Sequence, residues 1–328
     1  HTLPEYITVQ INDTHPTLSI PELMRILMDE EGFGWDEAFH VVSRVFNYTN
    51  HTIMQEALEC WPKDMFTLLL PRIYKIIEVL NEKYCQYLWQ FYEGDFQKIS
   101  SMSIIAYNQI RMANLCVAVC RKVNGVSQLH GDILKQNLFR DTYVINPSKF
   151  LAITNGITHR RWLLKANPGL AKLIENYIGP DFKKNYKEFS KLREFISNKE
   201  FMAEFARVKR ENKHKLAEYV YQKQGIKLNE EAIFDVQCKR LHEYKRQLLK
   251  VLHILYLYNK AIADPEFIKQ PIVFIFAAKA SPGYARAKNI IRLINAVSDL
   301  VNNDERTNGK LQVVFIENYC VSAAEIMI

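Results

Sequence analysis

An α/β fold, with helices covering both faces of a parallel sheet, is what this sequence predicts, and three observations carry the prediction. Apolar runs rich in Val, Ile and Phe recur through the second half of the chain, in "AIFDVQ", "PIVFIFAAKA" and "LQVVFIEN". Long helical patterns separate them, "LHEYKRQLLKVLHILYLYNKAI" and "ARAKNIIRLINAVSDLVNN". The runs are apolar at consecutive rather than alternate positions, as strands buried on both faces are. With three such strands, this half reads as part of a doubly wound sheet, in which ligands bind beyond the carboxyl ends of the strands.

Taken in order, "YITVQI" reads as a strand. "PELMRILMDEE" and "WDEAFHVVSRVF" space their apolar residues by three and four and predict amphipathic helices. "MFTLLLPRIYKIIEVLNEKYCQYLWQFY" predicts a longer helical segment with a kink at Pro71, and "IIAYNQIRMANLCVAVCRKVNGVS" a helix ending on a glycine stop. The first half is therefore expected to be one strand followed mainly by helices. After "FLAITNGITHRRW" a long charged helix, "NKEFMAEFARVKRENKHKLAEYVYQKQ", leads into the three strands. The chain starts at His1 without methionine and ends in "SAAEIMI", an apolar helical pattern with no stop signal, so a fragment of a longer protein is expected. No internal repeat or low-complexity linker is visible.

Composition narrows the function. The 328 residues are 48% hydrophobic and 12% aromatic, enough for two globular domains. A net charge of +7, from 43 Lys+Arg against 36 Asp+Glu, is spread along the chain and favours a small anionic substrate over nucleic acid. Cys60, Cys85, Cys116, Cys120, Cys238 and Cys320 show no CxxC spacing and read as reduced thiols of a cytoplasmic protein. No signal peptide and no apolar run of about 18 residues point to a membrane. His15, His51, His130 and His242 have no second ligand at helical spacing, so no metal is expected. His242 and Glu243 are followed by Arg246 where a zincin needs histidine, and neither GxGxxG nor a P-loop is present.

Two kinds of motif remain. "CKRLHEYKRQ", residues 238–247, places Lys239, Arg240, Lys245 and Arg246 at what is expected to be the start of a helix after "AIFDV". A helix N-terminus already carries about half a positive charge, so these cations need either an anion or water. On such a helix Arg240 and Tyr244 are four apart, and Lys245 lies three beyond His242. The stretch reads as a phosphate or sulfate site or as a solvated basic face, and its place at the strand's carboxyl end favours the site. The second kind is neutral. "INDTHP" carries Asn12, Asp13, Thr14 and His15, "NYTNHT" carries Asn50 and His51, and "AITNGIT" carries Asn155 and Gly156. Each alone is compatible with a capped turn. Together, three clusters short of carboxylates point to a neutral polyhydroxyl ligand held by hydrogen bonds. "SPGYARAK" reads as an ordinary turn or as a helix cap facing an anion.

"INDTHPTLSIPELMRIL", "YTNHT", "EALECWP", "LLPRIYKII", "MANLCVAV", "VNGVSQLH", "TNGITHRRWL", "FDVQCKRLHEYKRQLL", "KASPGYARAK" and "ENYCVSAAE" run from one end of the chain to the other. In this order they resemble the α-glucan phosphorylases, the glycogen, starch and maltodextrin phosphorylase family. "KRLHEYKRQ" and "NDTHP" are the family-specific members of the set.

The resemblance implies two Rossmann-like domains facing across a cleft, the glycosyltransferase-B arrangement. Residues 1–154 would end the first domain and 155–328 would begin the second. It implies phosphorolysis of terminal α-1,4-linked glucosyl units of glycogen or maltodextrin to glucose 1-phosphate with retention, by a cytoplasmic homodimer. It also implies a pyridoxal 5′-phosphate cofactor whose phosphate acts on inorganic phosphate as acid and base. Carried over by residue, Arg240 and Lys245 would contact the substrate phosphate and Lys239 would lie near the cofactor phosphate. Asp13, His15, His51, Glu56, Asn155, His242 and Tyr244 would surround the glucosyl unit, the His51 carbonyl helping to hold an oxocarbenium-like transition state. Trp162 and Tyr319 would line the cofactor pocket, and Tyr284 would stand at the cleft mouth.

The departures are His159 where many relatives have proline, Gly131 where many have serine, and Cys320 after Tyr319, which leans toward bacterial maltodextrin phosphorylases. The "GTGNMK" segment with the Schiff-base lysine is expected beyond Ile328, and the N-terminal glycine-rich loop is not in this sequence, so the fragment is expected to be inactive by itself. The same architecture also admits a nucleotide-sugar glucosyltransferase, or a noncatalytic glucan-binding module.

Overall fold

The structure is a computed structural model that describes residues 2–55, 58–307 and 309–328. It divides into two compact units, His1–Gly156 and Ile157–Ile328, so Asn155 belongs to the first.

In the first unit, Pro4 starts a helical turn, α1 (Leu3–Tyr6), which takes in the first residue of the strand expected over "YITVQI", and β1 (Val9–Asn12) begins after it. Next come α2 (Ser19–Arg25), extended by a wider turn to Glu30, and α3 (Trp35–Val45), which runs straight into β2 (Phe46–Thr49). β3 (Cys60–Pro62) leads to α4 (Lys63–Leu69) and α5 (Pro71–Trp89). Leu70 leaves helical geometry at φ −136°, so Pro71 starts a new helix at a position where its missing N–H costs nothing, rather than kinking one helix.

After α6 (Phe96–Met102), the helix predicted over "IIAYNQIRMANLCVAVCRKVNGVS" is in fact four elements. These are β4 (Ile105–Ala106), β5 (Gln109–Arg111), α7 (Met112–Val119) and β6 (Val123–Gly125). Tyr107 and Asn108, at φ 53° and 56°, make the left-handed two-residue turn that matches the twist of a hairpin. The strands are too short to show a period in the sequence, which is why the segment read as helix. α8 (Gln128–Ile133), α9 (Arg140–Ile145) and β7 (Phe150–Ala152) complete the unit.

Its main sheet is parallel, in the order β1-β2-β6-β7, and a small antiparallel sheet runs β3-β5-β4. Ile11, Tyr48, Val123 and Phe150 from the four parallel strands join one core with residues of α2, α3, α5 and α7. The expectation of a single strand followed by helices is thus corrected to a four-stranded parallel sheet with helical crossovers.

In the second unit, α10 (Pro168–Ile178) precedes α11 (Lys199–Gln224). Asn198 caps α11 by accepting from the Phe201 N–H at 3.0 Å, and Gly225 ends it in the left-handed region at φ 70°. Then β8 (Ile233–Cys238), α12 (Gln247–Ala263), β9 (Ile272–Ala277), α13 (Ala285–Asn302), β10 (Leu311–Ile316) and α14 (Val321–Met327) follow. The sheet is parallel with order β10-β9-β8. Along β9, Phe274 and Phe276 face the core built with α12 and α13, whereas Val273, Ile275 and Ala277 face the core built with α11 and α14. Burial on both faces is why the strand reads as continuously apolar.

The basic motif does not start a helix. Lys239 to His242 form a loop, Glu243–Lys245 a tight 3-10 turn, and Arg246 sits in the left-handed region at φ 63° before α12 starts at Gln247. Tertiary contacts overrule the helical pattern. Leu241 is drawn into the core, the buried Gln247 amide donates to the Arg240 carbonyl at 3.3 Å, and Gln237 donates to the Lys245 carbonyl at 3.2 Å. The helical spacings assigned to Arg240, Tyr244, His242 and Lys245 therefore do not apply.

Two glycines let α8 approach the sheet. A Cβ on Gly125 would lie 2.7 Å from the Gly131 nitrogen, and one on Gly131 would lie 2.7 Å from the Ala152 Cβ. Gly131→Ala is expected to destabilise the chain by about 1–3 kcal/mol through overpacking. Gly156→Ala, with nothing within 4 Å, should change stability by about 0.5 kcal/mol or less. Urea unfolding of both variants checks the contrast.

Candidate functional site

Because β1, β2, β6 and β7 are parallel, their carboxyl ends deliver four loops to one edge of the first unit. Backbone pairing continues past the strands. The Asp13 N–H donates to the Thr49 carbonyl at 3.0 Å, Asn50 to Asn124 at 3.0 Å, Ile153 to Gly125 at 3.0 Å and Asn155 to Val126 at 2.9 Å.

Side chains then knit the edge together. The His51 Nε2–H donates to Asn12 Oδ1 at 2.6 Å. The Gln10 amide donates to Thr49 Oγ1 at 2.7 Å, and the Thr49 hydroxyl to Asn124 Oδ1 at 2.9 Å. His130 accepts from the Val126 N–H on Nδ1 at 3.0 Å, so its proton is on Nε2, which donates to the buried Asn50 Oδ1 at 3.1 Å and the Thr52 carbonyl at 3.3 Å. Burial lowers the His130 pKa, which keeps the ring neutral. Asn50 also accepts from the Thr52 N–H at 2.9 Å and donates to the Tyr48 hydroxyl at 3.0 Å, so both chain neighbours of His51 are anchored.

Asp13, in the left-handed region at φ 61°, turns the chain away from β1 and accepts from the Thr14 N–H at 2.8 Å. Glu59 gathers the remaining groups. It accepts from the Thr14 hydroxyl at 2.7 Å and the Trp61 indole N–H at 2.8 Å, and lies 3.4 Å from His15 Nδ1. Asp13, His15, His51 and Asn155 thus share one edge, and Glu56 lies outside the described residues. Sequence reasoning passed over Gln10, Thr49, Asn124 and Glu59 and treated His130 only as a rejected metal ligand. The available signal was polar residues standing inside or at the end of strand runs, in "VQIN", "NYT" and "VNG".

The corresponding edge of the second unit is cationic. The Lys239 N–H donates to the Ala277 carbonyl at 3.0 Å and Leu241 to Lys279 at 3.1 Å, extending the β8–β9 pairing into the loop. Lys239 and Arg240 are exposed and Lys245 is half-buried. Burial, then the charges of Lys239 and Arg240, lower the Lys245 pKa, and burial, then Lys245 and Arg240, lower that of His242. The one carboxylate in the loop is engaged elsewhere, since Glu243 accepts from Arg286 at 2.5 Å and from the Tyr284 hydroxyl at 2.8 Å. Among the described residues Lys239, Arg240 and Lys245 have no ion-pair partner. Such mutual repulsion is relieved by a bound anion.

Aromatic rings border the cations. The His242 ring lies 5.4 Å from Tyr244 and 5.5 Å from Tyr284, and Lys245 lies over Tyr244 at 5.6 Å. The Tyr319 hydroxyl donates to the Cys238 carbonyl at 3.3 Å, at the end of β8. Trp162 sits on the turn Arg160–Lys165 with the Arg161 guanidinium 5.9 Å from its ring. Arg161 and Lys165 bind Glu325 at 2.6 and 3.3 Å, which ties that turn to α14, just after Tyr319. All six cysteines are free, and no group of metal-binding side chains occurs among the described residues. Among the described residues, no helix is long and apolar enough to cross a membrane.

Comparison with known proteins identifies the family of the chain. The sequence model described as carbohydrate phosphorylase matches residues 1–328. The chain is 48% identical to the glycogen phosphorylase of Bacillus subtilis, with 98% of the chain and 40% of the relative covered. It is 45% identical to the human liver form of glycogen phosphorylase, covering 99% of the chain and 39% of the relative. It is also 45% identical to the Haemophilus influenzae glycogen phosphorylase, covering 99% and 40%. The chain thus spans about two fifths of the length of these curated relatives, and bacterial and human proteins match it almost equally. By these matches along its whole length, the chain belongs to the carbohydrate phosphorylase family.

Proposed function

We propose that the protein to which this chain belongs is an α-1,4-glucan phosphorylase of the glycogen and maltodextrin type. It uses inorganic phosphate to release the terminal glucosyl unit as glucose 1-phosphate with retention, as a cytoplasmic homodimer. The observation that carries the reading is the cationic loop, in which burial and then the charges of Lys239 and Arg240 lower the Lys245 pKa, and in which these three cations have no ion-pair partner among the described residues. In this reading Arg240 and Lys245 hold the substrate phosphate. Asp13, His15, His51, Glu56, Asn155, His242 and Tyr244 surround the glucosyl unit, and Tyr284 lies at the mouth. The neutral edge suits a sugar, whose hydroxyls need paired donors and acceptors more than charge. A His51 loop anchored through Asn50 and Thr52 positions its groups before substrate arrives, which is what stabilisation of a developing oxocarbenium charge requires. Residues 1–154 then act as the glucan-binding part, and 155–328 as the phosphate- and cofactor-binding part.

The second unit also suits a cofactor bearing a phosphate monoester. Lys239 offers an exposed cation, and Trp162 and Tyr319 offer half-buried aromatic walls. Pyridoxal 5′-phosphate, when bound, supplies a phosphate group that exchanges a proton with the substrate phosphate. Lys239 would hold that phosphate group, with the Schiff-base lysine beyond Ile328.

Glucose 1-phosphate release from maltoheptaose by the full-length protein tests the reading. Phosphate-dependent release is expected. Its absence, or glucan elongation that depends on a nucleotide sugar, would overturn it. Arg240→Ala should lower turnover or raise the phosphate requirement at least about tenfold, because a charge-assisted contact contributes about 1.5–3 kcal/mol. An independent check is NMR titration of Lys245 in lysine-labelled protein. A cation gains protons more readily when an anion approaches or a like charge leaves. Both added inorganic phosphate and Arg240→Ala should therefore shift the Lys245 pKa upward, and an unchanged titration refutes the shared site.

A further inference from the structure

The first unit holds a second site at the opposite end of its parallel sheet. Lys149 directly precedes β7, and α7 ends just before β6, so the segments between them mark the amino ends of the strands, away from the edge that carries Asp13 and His51. Here α3, α5, α7 and α9 line a partly open cavity of about 290 Å3. Phe39, Leu80, Val117, Val119 and Ile145 supply apolar walls.

Polar groups break this surface, and two of them, Lys149 and Tyr84, are buried by it. Lys149 donates to the Val117 carbonyl at 2.6 Å and the Ala118 carbonyl at 3.4 Å. These bonds cap the end of α7, yet an ammonium has three N–H groups, and no carboxylate pairs with this one among the described residues. Burial pulls its pKa down to about 8. The Tyr84 hydroxyl, also on the cavity wall, is buried beside the Thr142 hydroxyl without a hydrogen bond of normal geometry, and burial pushes its pKa up to about 12. Capping of α7 explains the two carbonyl bonds. It explains neither the open apolar volume nor a buried phenol that lacks a well-aligned hydrogen bond.

Charge and size together limit the ligand. Among the described residues the lining contains Lys83 and Lys149 but no Asp or Glu, which favours an anion. A single deep cation among apolar walls offsets one negative charge and not the two of a phosphate monoester. A cavity of about 150 Å3 accommodates benzene, so the present volume suits a body of two fused rings. We propose that this cavity binds a small aromatic monocarboxylate, with its rings against Phe39, Leu80 and Val117 and its carboxylate accepting from Lys149 and the Tyr84 hydroxyl. The site is independent of the proposed phosphorolysis.

Calorimetry with 2-naphthoate and its neutral analogue 2-naphthamide, on the full-length protein, tests this. Naphthoate should bind about tenfold or more tightly than the amide, as a charge-assisted hydrogen bond provides. Lys149→Met should abolish the preference, and Ala118→Leu, which fills the cavity from its wall, should weaken both ligands about tenfold. Should either variant fold poorly, intermolecular NOEs on the unmodified protein decide instead. Contacts from naphthoate ring protons to the Leu80 and Val117 methyls are expected. Failure of naphthoate to bind at concentrations on the order of 1 mM, equal binding of the amide, or NOEs confined to other residues would overturn the proposal.

Discussion

Parallel strand pairing that continues past the last strand residue is the constraint on which both candidate edges depend. In the first unit the Asn50–Asn124 and Asn155–Val126 backbone bonds hold loops in register after the sheet proper has ended. In the second, the Lys239–Ala277 and Leu241–Lys279 bonds do the same for the basic loop. A parallel sheet has all of its strand-to-helix connections at one edge. Ordered backbone there turns a set of flexible polar loops into a surface with fixed spacing, and reduces the entropy lost when a ligand is bound.

The two edges use that constraint with opposite electrostatics. At the edge of the first unit the carboxylates are engaged, Asp13 by the Thr14 N–H and Glu59 by Thr14 and Trp61, while His130 is kept neutral by burial. The outcome is a network of amides, imidazoles and hydroxyls whose donors and acceptors are mutually satisfied before any ligand arrives. In the second unit the cations are left without acids, and Glu243 is drawn off to Arg286 and Tyr284. Satisfied neutral groups suit hydroxyls, whereas concentrated like charge raises the energy of the empty site and is lowered by an anion. The same contrast separates the Lys149 cavity from both edges, because there the buried Lys149 sits among apolar walls, with only the exposed Lys83 as a second cation in the lining.

Departures from local pattern mark where tertiary contacts prevailed. The run from Leu241 onward has helical spacing, yet the helix waits until Gln247, because burying Leu241 and giving the Gln237 and Gln247 side-chain N–H groups backbone acceptors outweighs a further turn of helix. The hairpin at Tyr107 and Asn108 escaped detection because its strands are two and three residues long, below any readable period. β6 was missed for the same reason, and with it the placement of Asn124 and His130 at the edge. Pro71, by contrast, was noticed as a disruption, and Leu70 shows that the disruption is a boundary between two helices.

The sequence by itself determined the parallel sheet of the second unit, the long helices and the family, because continuous apolar runs, helical periodicity and "KRLHEYKRQ" and "NDTHP" are local signals. It also marked Asp13, His15, His51, Asn155, Lys239, Arg240 and Lys245 as residues of polar or basic clusters. Only the tertiary structure decided that the clusters of the first unit share one sheet edge and that His51 is braced by Asn12. It alone decided that the basic motif is a loop, and that Lys149 and Tyr84 open on one cavity. Those facts depend on pairings between segments such as 9–12, 46–49, 123–125 and 150–152, which are distant along the chain. Local pattern carries no information about which segments meet, whereas side-chain hydrogen bonds and pKa shifts are set entirely by that meeting.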